Sequence, residues 1–380
     1  SFVSNAGPMF IDGYTQEGSQ VHGPRNVSSR FTGSITPVIF DGMGSTSPFL
    51  VFVPGYNDNE VSGLTMFDYS VGIRLDSDGN YIFGNHFGTN DDGTLVFAAI
   101  GHGVRGDSSS NNQIGGSRPY ERNLFGSCNS HGILFQGGSS ANGAFGNIFG
   151  LTGDGVGSLS GLVPPPEYIR FESVTQPDIE SNIMGFGNTG ISVINCDDPI
   201  VAYNVIGFEG DTAQAAPMVA GIVLDNANLG AVSENDVGNC AGIGITLNNS
   251  TNVIVNHNHV GVTGDGFSAA SNDIGVFLDG TINASIDGNL ISANSSHGIR
   301  LTNGSDANDI LANIIGLDAS ITAASNLGNG TGILVENSAN NIVGNAGSPN
   351  TISDNVNDGI EITGSGSTGN AMNNNAIGVE

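Results

Sequence analysis

Two short phrases recur along this chain, and their spacing constrains what it can fold into more than any other feature. The first reads Gly-Ile-x-Leu or a near variant, at Gly72-Ile73-Arg74-Leu75, Gly132-Ile133-Leu134-Phe135, Gly190-Ile191-Ser192-Val193 and Gly221-Ile222-Val223-Leu224. It returns at Gly298-Ile299-Arg300-Leu301, Gly332-Ile333-Leu334-Val335 and Gly359-Ile360-Glu361-Ile362. The second reads Asn-x-Ile-Gly, with Phe or Val in place of Ile in some copies, ending on Gly88, Gly150, Gly207, Gly261, Gly316 and Gly378, which are 62, 57, 54, 55 and 62 residues apart. A period of roughly 58 residues is that of stacked structural units. Each period holds about six apolar phrases of three to five residues, bounded by Gly, Asn, Ser or Asp, which is the pattern of short strands. Helix-period stripes are missing, and the 59 glycines among 380 residues would be costly in helices.

The simplest solution is all-β: a right-handed parallel β-helix whose coils hold three short strands and roughly 29 residues each, about eleven coils in total. Strands of successive coils pair in parallel, so like residues pile on like: Ile, Leu, Val and Phe inward, Asn laddering at the bends, Gly where the backbone turns or approaches closely. Residues 61–380 carry this pattern. Residues 1–60 lack it, contain Pro8, Pro24, Pro37, Pro48 and Pro54, and read as an N-terminal cap or irregular first coils. The rhythm breaks at 161–178, around Pro164-Pro165-Pro166, where an expected Gly-Ile phrase is displaced to Gly190. That stretch reads as an inserted loop whose Tyr168, Arg170 and Phe171 project as a contact surface. The chain stops within a repeat phrase, so the expectation is that either the natural protein continues or an open coil end invites association with another chain.

Composition excludes several function classes. The eight basic side chains are all arginines, against 36 acidic residues, for a net charge of −28. A nucleic-acid backbone would be repelled. No apolar run approaches the roughly 20 residues of a membrane span, so no membrane insertion is expected. Ser1-Phe2-Val3-Ser4 has no basic, then apolar, leader, and the chain reads as already mature or never exported. Cys128, Cys196 and Cys240 are too few for a disulfide framework and match no zinc spacing, so buried thiols are expected.

The phrases resemble repeats of large secreted and cell-surface bacterial proteins with right-handed β-helix domains, whose text runs near N-x-I-G-T-D-x-x-G-T, then G-V-x-I and N-T-I-G-G. Gly88-Thr89-Asn90-Asp91-Asp92-Gly93-Thr94 is similar to the first, and Asn112-Gln113-Ile114-Gly115-Gly116 to the third. Ile11-Asp12-Gly13-Tyr14-Thr15-Gln16 resembles an I-D-G-Y-T-Q opening of the same proteins. The resemblance implies the β-helix and an extracellular or cell-surface location.

Chemistry is sparser. If the chain is an enzyme, Asp91 and Asp92 with His102 and Arg105 of Gly101-His102-Gly103-Val104-Arg105 are the candidate catalytic groups of a polysaccharide lyase or glycoside hydrolase. The Arg-x-Lys of polygalacturonase-like hydrolases cannot occur without lysine. His102 also sits where the ordinary repeat phrase belongs, as His131 and His297 do. Asp76, Asp78 and Asn80 place three oxygens at alternate positions, a pattern a hard cation accepts, so Ca2+ is a candidate ligand, although no cofactor is required. The reading is a structural or adhesive β-solenoid that acts through contact with surface glycans or other copies of itself. The rival is a carbohydrate-active enzyme with its groove along one sheet face.

Overall fold

The computed structural model describes residues 2–4, 8–15, 38–210, 214–321 and 326–378. Gln16, Pro24, Arg25, Arg30 and Pro37 lie outside them. The described chain is a right-handed parallel β-helix of about eleven coils, with helical turns only at Gly13–Thr15 and Pro119–Glu121. A typical coil holds a long strand, a three-residue strand and a two-residue strand, as in Ile274–Asp279, Ser285–Asp287 and Leu290–Ile291. Contacts divide the chain into two compact units: Ser1–Ile191 with Glu209–Ala216, and Ser192–Phe208 with Pro217–Glu380.

In the first unit the described parts of residues 1–60 enter the parallel ladders. Val38–Phe52 pairs with Leu64–Leu75 through two register shifts, and Phe10–Asp12 pairs with Glu60–Ser62. Ile73, Val104, Ile133 and Ile169 then stack on successive rungs, each fully buried. Phe87, Phe125 and Phe149 stack beside them with centroids 4.7 Å apart, and Tyr168 closes the column at 5.3 Å. Asn85, Asn123, Asn147 and Asn182 form a buried ladder. Each side-chain amide donates to the Oδ1 of the next asparagine, at 3.2, 2.9 and 3.1 Å. That same Oδ1 also accepts the backbone N–H of the preceding asparagine, so one side chain satisfies two donors of the neighbouring coil.

The second unit repeats the logic with Ile222, Ile245, Val276, Ile299, Ile333 and Ile360 in the core column. Its ladder runs Asn204, Asn235, Asn258, Asn289, Asn313, Asn350 and Asn375. The stacked residues from Ile222 to Ile333 are 23, 31, 23 and 34 residues apart. Short and long coils thus alternate, which explains the repeat near 58. The long coils carry a loop after Gly261 and Gly316, glycines at φ 87° where a Cβ would lie 2.2 Å and 2.1 Å from a carbonyl oxygen of the next coil. The phrase Gly-Ile-x-Leu needs its glycine for a different reason. A Cβ on Gly275 or Gly298 would come within 2.6 Å of the stacked glycine carbonyl.

Residues 161–178 are not the inserted loop expected from the sequence. Glu167–Glu172 is a long strand paired to Cys128–Gln136, with Gly132 opposite Tyr168 and Ile133 opposite Ile169 by register. The missing repeat phrase is therefore Tyr168-Ile169-Arg170-Phe171, with tyrosine in the glycine place. The Pro-rich stretch is the connection that precedes it.

Candidate functional site

The x position of the phrase points away from the core, so parallel stacking lines up whatever occupies it. In the first unit, Arg74, Arg105, Leu134 and Arg170 stand opposite one another on successive rungs. Two residues further on, Asp107, Gln136 and Glu172 do the same. Three residues earlier, His102, His131 and Glu167 form a third row. Charged and planar groups are thereby brought from four coils into one strip.

Within it the groups hold one another. Arg74 Nε lies 2.9 Å from Asp76 Oδ1, and its NH2 lies 3.8 Å from Asp107. Arg105 Nε reaches Asp107 Oδ2 at 2.9 Å, and Gln136 Nε2 donates to the other oxygen of Asp107 at 2.7 Å. Arg170 spans two acids, with NH1 3.1 Å from Glu167 and NH2 3.0 Å from Glu172. His131 Nε2 is 3.1 Å from Glu167 Oε2, and its Nδ1 is 3.4 Å from His102 Nδ1, with the two rings stacked at 5.3 Å. In the tautomer in which His131 Nε2–H faces Glu167, His131 accepts at Nδ1, which makes His102 the donor from Nδ1 and leaves its Nε2 as an acceptor. Burial, helped by His131 and Arg105, holds the His102 pKa down at about 4, so this imidazole is neutral over most of the working range. Beside the strip lies an open groove of about 530 Å³, bounded by Arg74, Asp76, Asp78, Asp107, Asn57 and Ser108.

The residues singled out from the sequence are distributed differently from expectation. His102 and Arg105 are both in the strip. Asp91 and Asp92 are in the turn after His86–Phe87, where Asp92 accepts from the Thr94 hydroxyl at 2.6 Å and from Asn90. Among the described residues no hydrogen bond or ion pair joins either aspartate to His102 or Arg105. Arg170 is in the strip, but Tyr168 and Phe171 are 1% and 0% exposed. Their rings fill the core, and the Tyr168 hydroxyl donates to the Gly185 carbonyl at 2.9 Å, so neither projects as a contact. Asp76, Asp78 and Asn80 do not converge as cation ligands. Asp76 pairs with Arg74, Asp78 accepts from the Ser110 N–H at 2.7 Å, and Asn80 is buried in a ladder between Asn59 and Asn112. Arg74, Asp107, His131, Glu167 and Glu172 were not among the expected site residues. The signal for them was a charged residue or histidine at the x position, two residues after it or three before it, in consecutive phrases.

The second unit has smaller clusters. Arg300 NH2 lies 3.0 Å from Glu336, and its guanidinium lies 5.7 Å from the centroid of Phe277. His259 Nδ1 is 3.1 Å from Asp236, and that hydrogen bond raises the imidazole pKa.

Comparison with known proteins adds the following. Residues 164–326, less than half of the chain, match the family described as Periplasmic copper-binding protein (NosD). No curated protein sequence matches the chain. Among solved structures, the chain is similar to a double mutant of the periplasmic alginate epimerase AlgG. The identity is 14% and the TM-score 0.62, over 87% of this chain and 77% of that one. Another structure of the same epimerase aligns at 14% identity and TM-score 0.50, over 91% and 81%. At that identity the likeness establishes the parallel β-helix. The residues present do not suit the copper of the matched family's name. Among the described residues no three or more His, Cys, Asp or Glu side chains are gathered to hold a metal ion. Cys196 and Cys240 are buried, and burial pushes the Cys240 thiol up to about 12, away from the thiolate that ligates metals.

Proposed function

We propose that this chain is a glycan-contacting β-helix that works outside the cytoplasm and uses the Arg–His–acid strip of its first unit as the contact surface. The observation that carries the reading is the mutual pinning of Arg74, Arg105, Arg170, Asp107, Glu167 and Glu172 in rows along one face. Planar groups fixed in this way lose little further freedom when they bind, and they offer donors and acceptors at the rung spacing of about 4.8 Å. An extended, hydroxyl-rich polymer presents matching groups along its length. The shared fold with an alginate epimerase is in keeping with such a ligand. Of the two partners expected from the sequence, a second copy suits the strip less, because two chains of −28 repel each other.

Binding without turnover fits best, since the guanidinium groups are already neutralised and His102 is a weak base. Arg105→Ala and Arg170→Ala should each weaken retention on an immobilised glycan panel, with the thermal transition retained. Unchanged retention in both variants rejects the strip. A second reading, catalysis, has one observation in its favour: Glu167, His131 and His102 form a hydrogen-bonded chain, the logic of a positioned base. In that reading His102→Ala and Glu167→Gln abolish release of product from a polysaccharide panel. Absence of turnover by the unmodified protein leaves binding alone.

A further inference from the structure

The geometry points to an uncharged polysaccharide as the ligand, with one sugar seated in the groove beside Arg74; this rests on the glycan-contact reading above. Charge decides the class. The groove is bounded by one guanidinium, Arg74, against three carboxylates, Asp76, Asp78 and Asp107. Adding the neighbouring Arg105 still leaves the acids in excess, and Arg105 is already committed to Asp107 at 2.9 Å. Along the rest of the strip Arg170 is held between Glu167 and Glu172. His102 brings no compensating charge. A uronate polymer entering here would have to displace carboxylates from their guanidinium partners while facing the field of a chain at −28.

The same groups suit hydroxyls. Arg74 is oriented by Asp76, and Asp107 is oriented by both Arg105 and Gln136. Asp78 is fixed by the Ser110 N–H. Carboxylates held in place accept hydroxyl protons, and a held guanidinium donates to hydroxyl oxygens, with hydrogen bonds stronger than neutral ones. Pro54 and Gly55 add small, uncharged groups to the lining. At about 530 Å³ the groove is open and of a size for one or two sugar residues.

The test is affinity electrophoresis and calorimetry of the whole chain. The probes are neutral polymers (β-glucan, mannan, xylan, arabinan) and acidic ones (polygalacturonate, alginate). At least one neutral polymer should bind, and its affinity should hold between roughly 0.05 and 0.5 M salt, where a charge-driven contact would fade. Arg74→Ala and Asp107→Asn should each weaken that binding about tenfold or more, the loss of a charge-assisted hydrogen bond. Arg300→Ala in the second unit should leave it unchanged. Tighter binding of the acidic polymers overturns the uncharged class while the glycan reading stands. Undiminished neutral binding in both folded groove variants overturns the groove and likewise leaves that reading standing. Failure to bind any polymer of either kind defeats the glycan reading and this inference together.

Discussion

His86 shows how much a single buried side chain can set the response to acid. It is fully buried, its Nδ1 contacts the Asn90 carbonyl at 3.2 Å, and burial lowers its pKa from the ordinary 6.5 to about 4. The unfolded chain therefore binds a proton at His86 more readily than the folded one. The associated stability is complete above about 6.5 and is lost as pH falls toward 4, on the order of 3 kcal/mol for this one group. Denaturant unfolding across that window should show the slope, and His86→Gln should flatten it; an unchanged slope would assign the effect to other groups. Tyr168 makes a second residue-scale case. Replacing its buried ring by alanine empties the end of the aromatic column and should cost about 3–5 kcal/mol. Tyr168→Phe, which loses only the hydroxyl's bonds to the Gly185 and Phe186 carbonyls, should cost about 1 kcal/mol. Equal losses in the two variants would contradict the packing account. This tyrosine also marks a limit of sequence reading. The motif was anchored on glycine, and a ring in the glycine place, accommodated because the Phe column beneath it ends there, made the phrase unreadable.

At the scale of elements, the asparagine ladders bind coil to coil. Asn258 donates to Asn289 Oδ1 at 2.9 Å and to the Val232 carbonyl at 2.9 Å, while its own Oδ1 accepts from Asn235. Asn258→Ala removes the acceptor of two buried Asn235 donors, the backbone N–H and the side-chain amide, and deprives the Val232 carbonyl and Asn289 Oδ1 of a donor, so it should destabilise the second unit by about 2–4 kcal/mol. The loss should appear as an earlier thermal transition, and a loss below about 0.5 kcal/mol would show that water replaces the ladder. On the three-residue strand Asp178–Glu180, burial and the neighbouring Glu180 push Asp178 from 3.8 up to about 6. The sign is opposite to that of His86. This contribution is complete below about 3.8 and disappears as pH rises through about 6. Asp178→Asn should therefore raise the melting temperature near pH 7 and remove the decline between those limits. Because the two groups oppose each other between about 4 and 6, each substitution should expose the slope of the other.

For the whole molecule, charge is the dominant long-range term. A chain at −28 with eight arginines repels itself, and the ion pairs of the strip offset only a small part. Raising salt from roughly 0.02 to 0.2 M should increase the melting temperature through screening. A decrease would mean that the arginine–carboxylate pairs outweigh the repulsion. The same excess of acid bears on the choice of ligand, since it disfavours polyanions everywhere on the surface and leaves uncharged polymers free to approach.

The winding and the identity of its rungs were legible in the order of residues. Parallel stacking places equivalent residues of neighbouring coils in contact, so Ile over Ile, Asn over Asn and Gly over Gly leave a periodic trace that needs no knowledge of distant contacts. Which polar groups meet was not legible, because it depends on how many residues each loop consumes before the next rung begins. His131 and Glu167 are 36 residues apart and face each other only because the connection before Glu167 returns the chain in register. The cation loop expected at Asp76, Asp78 and Asn80 failed for the same reason: a ladder running through another coil had already taken the Asn80 amide. Periodicity specifies the rungs, whereas loop length and the closing of each coil decide which side chains share a surface.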